Sequence, residues 1–92
     1  MPKDNVFKAL SDPNRRKILQ LLKKVDALTV GKIAKEFDIS QPSVSDHLKI
    51  LRNADLVYSE KKGQYVHYYL NTTVFEDIVS YFMNIVTTSK EQ

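Results

Sequence analysis

Between Thr29 and Arg52 the apolar positions follow a helical period twice, with a short polar break between the two runs. Val30, Ile33, Ala34 and Phe37 share one face, and Thr29 ahead of them is a side-chain cap for a first helix. Asp38-Ile39-Ser40 supplies a polar turn around one apolar anchor. Ser40 then caps a second helix, in which Val44, Leu48 and Leu51 stand at i, i+4 and i+7. At ~100° per residue, Pro42, Ser45, Asp46, Lys49 and Asn53 fan out on the far side, with Gln41 and Ser43 at its flanks. That face offers hydrogen-bonding groups without bulk. The pair reads as a helix-turn-helix whose second member is shaped for a DNA groove. Taken alone, the second helix has a plainer reading as an amphipathic helix with a solvated face.

The flanking segments add elements. Upstream, Asp12 caps a helix that begins at Pro13, where a missing N–H costs nothing, and Ile18, Leu19, Leu21 and Leu22 supply its buried face. Arg15 and Arg16 fall in its first turn, where cations oppose the helix dipole and require a partner. Asp12 or a nearby acidic residue is the favoured partner, and a DNA phosphate the sharper alternative. Downstream, Leu56–Glu60 and Tyr65–Leu70 are rich in β-branched and aromatic residues, with Lys61-Lys62-Gly63-Gln64 as a hairpin turn between them. A two-stranded ribbon with a basic tip directly after a groove-reading helix is a wing, and Lys61 and Lys62 would displace counterions from phosphate. The predicted fold is mainly α with a small β-hairpin, a winged helix-turn-helix in the order α-α-α-α-β-β-α.

The last helix, roughly Thr73 to Thr88, is apolar over more than one face. At ~100° per residue its Val, Ile, Phe, Tyr and Met side chains, among them Ile78, Phe82, Ile85 and Val86, cover an arc of roughly 200°. One core contact uses about half of that. A second copy of the same helix is the simplest further partner, which predicts a homodimer, against the alternative of a helix buried on two sides within one chain.

Composition narrows the class. The 92 residues are expected to form a single domain, 1–92, with one modest core. With no cysteine, disulfides, thiolate metal sites and redox thiols are excluded. No long apolar run or signal peptide is apparent, so a cytoplasmic protein without membrane insertion is expected. Fourteen Lys and Arg stand against 11 Asp and Glu, a net charge of +3; residues 72–92 hold one Lys against three acids, a net of −2, which leaves +5 on residues 1–71. That imbalance permits DNA binding without demanding it. Ser45-Asp46-His47 contains the residue types of a catalytic triad, but consecutive helical side chains point ~100° apart and cannot form one. With only two glycines, Gly31 and Gly63, and no convergent acid–base cluster, an enzyme is not expected.

In its order of parts the chain resembles the ArsR/SmtB family of bacterial repressors. The resemblance rests on Phe7-Lys8-Ala9-Leu10-Ser11-Asp12-Pro13-Asn14-Arg15-Arg16-Lys17-Ile18-Leu19, on Ser40-Gln41-Pro42-Ser43-Val44-Ser45-Asp46-His47-Leu48-Lys49-Ile50-Leu51, and on Leu56-Val57 leading to Lys62-Gly63-Gln64 and Tyr68-Tyr69-Leu70. It implies a homodimer joined through the terminal helices, with Val6, Phe7 and Leu10 sharing the interface, bound to a palindromic double-stranded DNA operator that it represses. Gln41, Ser43, Ser45 and Asp46 would then face base edges, with Gln41 suited to adenine and Asp46 to cytosine N4. Lys49, Lys61 and Lys62 would neutralise phosphates. Gln64 or Tyr65 would enter the minor groove, and backbone N–H groups at Thr29 and Val30 would meet phosphate. His47 is expected as a packed, hydrogen-bonded flank residue close to a phosphate, and His67 as a sheet-face residue.

Many members of the resembling family release DNA when a metal binds. Here the stretch Thr29–Phe37 lacks the Cys-x-Cys pair of one family site, and the last helix offers Glu76 and Asp77 but no histidine for the other. No metal site and no cofactor are therefore expected, with a metal-sensing repressor using a non-standard site and a winged-helix protein-interaction module as alternatives. The inducing signal stays open between a small molecule at the dimer interface, a sequestering protein, and autoregulation alone.

Overall fold

The computed structural model describes residues 3–88. Five helices and one antiparallel hairpin follow in the order α1 (Lys3–Leu10), α2 (Pro13–Lys24), α3 (Val30–Phe37), α4 (Gln41–Asn53), β1 (Val57–Lys62), β2 (Tyr65–Leu70) and α5 (Thr72–Thr88). The expected order α-α-α-α-β-β-α holds.

Local chemistry starts and stops these elements. Asp12 accepts from the amides of Asn14 and Arg15 with Pro13 as the first helical residue, Thr29 accepts from Lys32 N, and Ser40 from Ser43 N. Asp38 ends α3 in the left-handed region at φ 54°, where its own amide bonds back to Ala34 O. Ile39 thereby swings in against the core while Ser40 begins α4.

α1 to α4 place Val6, Ile18, Ile33, Val44, Leu48 and Leu51 in one buried cluster, which Leu56 and Val57 extend under the base of the wing. An antiparallel bridge between Leu28 and Tyr68, with N–H···O distances of 3.3 and 2.9 Å, attaches the start of α3 to β2. The wing pairs Val57 with Leu70 through to Lys62 with Tyr65. Its strands are longer than the sequence suggests: a two-residue loop, Gly63–Gln64, closes the hairpin, so Lys61 and Lys62 are strand residues and not turn residues. Gly63 alone takes positive φ, 63°, which is the requirement of a II′ turn and leaves no further residues for a loop.

α5 leaves this body. Val74 and Ile78 reach the core and Phe75 packs at its edge, while Val79, Phe82, Met83, Ile85 and Val86 are exposed on the chain's own surface. The molecule is accordingly long and thin, 54 × 24 × 22 Å. The alternative of a terminal helix buried on two sides within one chain does not hold.

Two expected interface residues are corrected by this packing. Val6 is 0% exposed and Ile78 8%, so both side chains belong to the subunit's own core. Helical period identifies apolar faces but not which neighbour covers each. Phe7 stands at the border, with ring centroids 6.2 Å from Tyr81 and 5.9 Å from Phe82.

Candidate nucleic-acid interface

Of the face of α4 opposite Val44, Leu48 and Leu51, Gln41, Pro42, Ser45, Asp46 and Lys49 are all exposed. Ser43 is exposed as well, but its hydroxyl oxygen accepts from Ser40 Oγ at 3.0 Å as part of the cap. Its own O–H remains a donor. Cap and exposed face thus overlap at this residue.

α4 begins beside the start of α3 and the tip of the wing. Thr29, Val30, Gly31, Gln41, Gln64 and Tyr65 bound a shallow cleft of about 290 Å³, with Val66 at its edge. The two helices meet closely here: a Cβ on Gly31 would lie 3.6 Å from Gln41 Nε2, an ordinary van der Waals contact. Gln41, Gln64 and Tyr65, expected separately from helix and wing, are brought together with the first turn of α3.

The lysines divide. Lys61 shares a strand face with Ser59, whereas Lys62 lies on the opposite face with Tyr58, by the alternation of the pleat. Lys62 Nζ stands 5.3 Å above the Tyr69 ring, which in turn stacks on Tyr58 at 5.1 Å and 10°. The side chain therefore folds back over the sheet toward its base. Tyr69 raises the Lys62 pKa, first through its hydroxyl as a polar neighbour and then through its charge when ionised, with Glu60 adding to the effect. The ammonium stays charged throughout the neutral range. The Tyr69 hydroxyl is itself buried with no partner at hydrogen-bond geometry, so charge and ring face carry this contact.

His47 is half-buried on α4, and its Nδ1 lies 3.5 Å from Arg15 Nη1. His67 is half-buried in the sheet. Arg15 and Arg16 turn their guanidinium groups to backbone carbonyls, where sequence favoured the Asp12 carboxylate. Arg15 Nε donates to Ala9 O at 2.7 Å and Nη2 to Lys8 O at 3.2 Å, and Arg16 Nη1 donates to Leu10 O at 2.7 Å. These carbonyls end α1, where orphan acceptors and the negative end of the dipole suit a cation. Asp12 meanwhile caps α2. Partial desolvation pushes its carboxyl up, but the amides of Arg15 and Asn14 and the electrostatic pull of His47 and Arg15 outweigh that, so its pKa lies below the ordinary 3.8.

Sequence reasoning singled out Arg15 but not its contact with His47, and it missed Arg52, whose Nη1 donates to Ser59 Oγ at 3.4 Å, from the last turn of α4 to the wing. A cation against the dipole was the signal for Arg15. Nothing local marks Arg52. Among the described residues no three His, Cys, Asp or Glu side chains gather as a group able to hold a metal ion.

The sequence pattern described as "Bacterial regulatory protein, arsR family" matches residues 12–59, just over half of the chain and the whole of its helix-turn-helix. The chain belongs to the arsR family. Relatives in that family include the "Transcriptional repressor SdpR" of Bacillus subtilis, 52% identical over 90% of this chain and 91% of its own length. The "Arsenical resistance operon repressor" of Staphylococcus aureus is 36% identical over 95% of this chain and 82% of its own length. Among solved structures, an "ArsR-like Transcriptional Regulator from Rhodococcus sp. RHA1" superposes with a TM-score of 0.87 at 26% identity, covering 96% and 82% of the two chains. This family member is a DNA-binding transcriptional repressor of winged-helix fold, not an enzyme. No described helix is long and apolar enough to cross a membrane.

Proposed function

We propose that this repressor acts in the cytoplasm as a single-domain homodimer on a short palindromic operator and does not respond to metals. The exposed apolar half of α5 carries the reading. Phe82 at 49%, Ile85 at 53% and Val86 at 52% exposure, with the Phe7 ring 5.9 Å from Phe82, offer an apolar surface that a second copy would cover, and half-buried Leu10 of α1 joins them in the proposed interface. Two-fold symmetry in the protein would then be mirrored in its operator.

On each half-site α4 is the reading element: Gln41, Ser43, Ser45 and Asp46 face base edges, while Lys49, Lys61 and Lys62 neutralise phosphates. The first amides of α3 meet a phosphate, and Gln64 or Tyr65 reaches the adjoining minor groove. The shared cleft of α3, α4 and wing tip supports this division. Arsenical relatives do not extend their signal to this chain, because soft metalloids are held by thiolates and the chain has no cysteine. Electrophoretic retardation of the gene's own upstream DNA tests the reading. Retention of a single dimer-stoichiometric complex on one inverted repeat is the expected result; no retardation on any duplex would leave a protein-interaction module in its place.

A further inference from the structure

The Arg15 guanidinium joins two helices other than its own. Two of its nitrogens are anchored on the Lys8 and Ala9 carbonyls at the end of α1, and the third faces His47 Nδ1 on α4 at 3.5 Å. The α1 contacts fix its position without help from α4. Guanidinium nitrogens donate and never accept, so a hydrogen bond across this contact needs a neutral ring with its lone pair on Nδ1 and its hydrogen on Nε2. Asp12, a charged neighbour of both, turns Oδ1 to the amides of Asn14 and Arg15 at 2.7 and 3.2 Å. His47 is only half-buried, which leaves part of the ring open to a ligand.

We propose that Arg15 is a positioning residue for DNA recognition: it holds His47 as the Nε2–H tautomer, so that the ring presents one neutral donor to a DNA phosphate. The proposal rests on α4 being the DNA-facing helix. A neutral ring free to exchange tautomers would offer phosphate a lone pair part of the time, which repels an anionic oxygen, whereas a fixed N–H is always the right partner.

Long-range 1H–15N correlation on 15N-histidine protein at about pH 8, above the ordinary imidazole range, reads the tautomer directly. His47 is expected to show a bare Nδ1 and a protonated Nε2, and Arg15→Met a mixture. A wild-type ring protonated on Nδ1 would overturn the proposal whatever the DNA result.

Binding to the upstream duplex supplies the second readout. His47→Ala should weaken it by roughly fivefold per subunit, the worth of one hydrogen bond, Arg15→Met by about twofold, the fraction of rings left in the wrong tautomer, and the double variant no more than His47→Ala alone. A full further loss from Arg15→Met in the His47→Ala background would overturn the positioning role. Arg15→Lys, which keeps a donor for the α1 carbonyls, replaces the methionine variant if that one fails to fold. A wild type that binds no duplex would remove the phosphate contact along with the proposed function, while a wrong tautomer would sink this proposal alone.

Discussion

Leu28 and Tyr68 exchange both of their backbone hydrogen bonds, at 3.3 and 2.9 Å, and this pair is where the wing is attached to the start of α3. They stand forty positions apart in the sequence, so their pairing sets the cleft that Gln41 shares with Gln64 and Tyr65. Leu28→Pro deletes one donor of the pair. The Tyr68 amide, protected in the wild type, is expected to exchange with solvent faster in this variant, with the α4 amides little changed. Native-state hydrogen exchange checks both.

The terminal helix separates interface from core within one element. Phe82→Asp and Ile85→Asp place a charge on a surface exposed in the single chain, and should give folded monomers where the wild type dimerises. Ile78→Asp buries an unpaired carboxylate and should unfold the chain instead. Sedimentation at tens of micromolar with circular dichroism distinguishes the outcomes; a monomeric wild type would refute the dimer.

Gln41→Ala or Ser45→Ala should weaken the operator by about 1 to 3 kcal/mol and spare scrambled DNA, since a base contact carries discrimination and not charge. Lys61→Ala and Lys62→Ala should weaken all sequences alike. Each is expected to reduce the salt slope of log affinity by about one unit per subunit, approaching two for a dimer with both wings engaged. Isotherms at several salt concentrations report both quantities.

Asp12 predicts a feature of the acid limb. A carboxyl whose folded pKa lies below its unfolded value stabilises fully above the unfolded value, near the ordinary 3.8, and loses that contribution as pH falls through the depressed one. Asp12→Asn keeps a capping side chain but no titrating group. Its melting temperature should therefore fall less steeply than that of the wild type below about pH 4. Thermal melts between pH 2 and 6 measure this.

Zinc, cadmium, nickel and arsenite should leave DNA affinity unchanged within about threefold at submillimolar concentration, for want of thiolate or clustered imidazole ligands. A titration with chelator controls measures it. Stoichiometric release by any of these ions would restore Glu76, Asp77 or the histidines as ligands.

Much of the helix-turn-helix was legible without coordinates. Caps at Asp12, Thr29 and Ser40 and the stripe Val44, Leu48, Leu51 depend on groups only a few residues apart, where propensity and period act directly. The hairpin was legible for the same reason, through Gly63, although its length was not: Lys61 and Lys62 look like turn residues until a two-residue loop makes them strand. Tertiary structure alone decided the partners. Arg15 and Arg16 found helix-end carbonyls because α1 stops just where α2 starts, Lys62 found the Tyr69 ring across the sheet, and Val6 and Ile78 were drawn into the core while Phe82 and Ile85 were not. Periodicity states which side of a helix is apolar; only the arrangement of the other helices determines how much of that side the chain itself can cover.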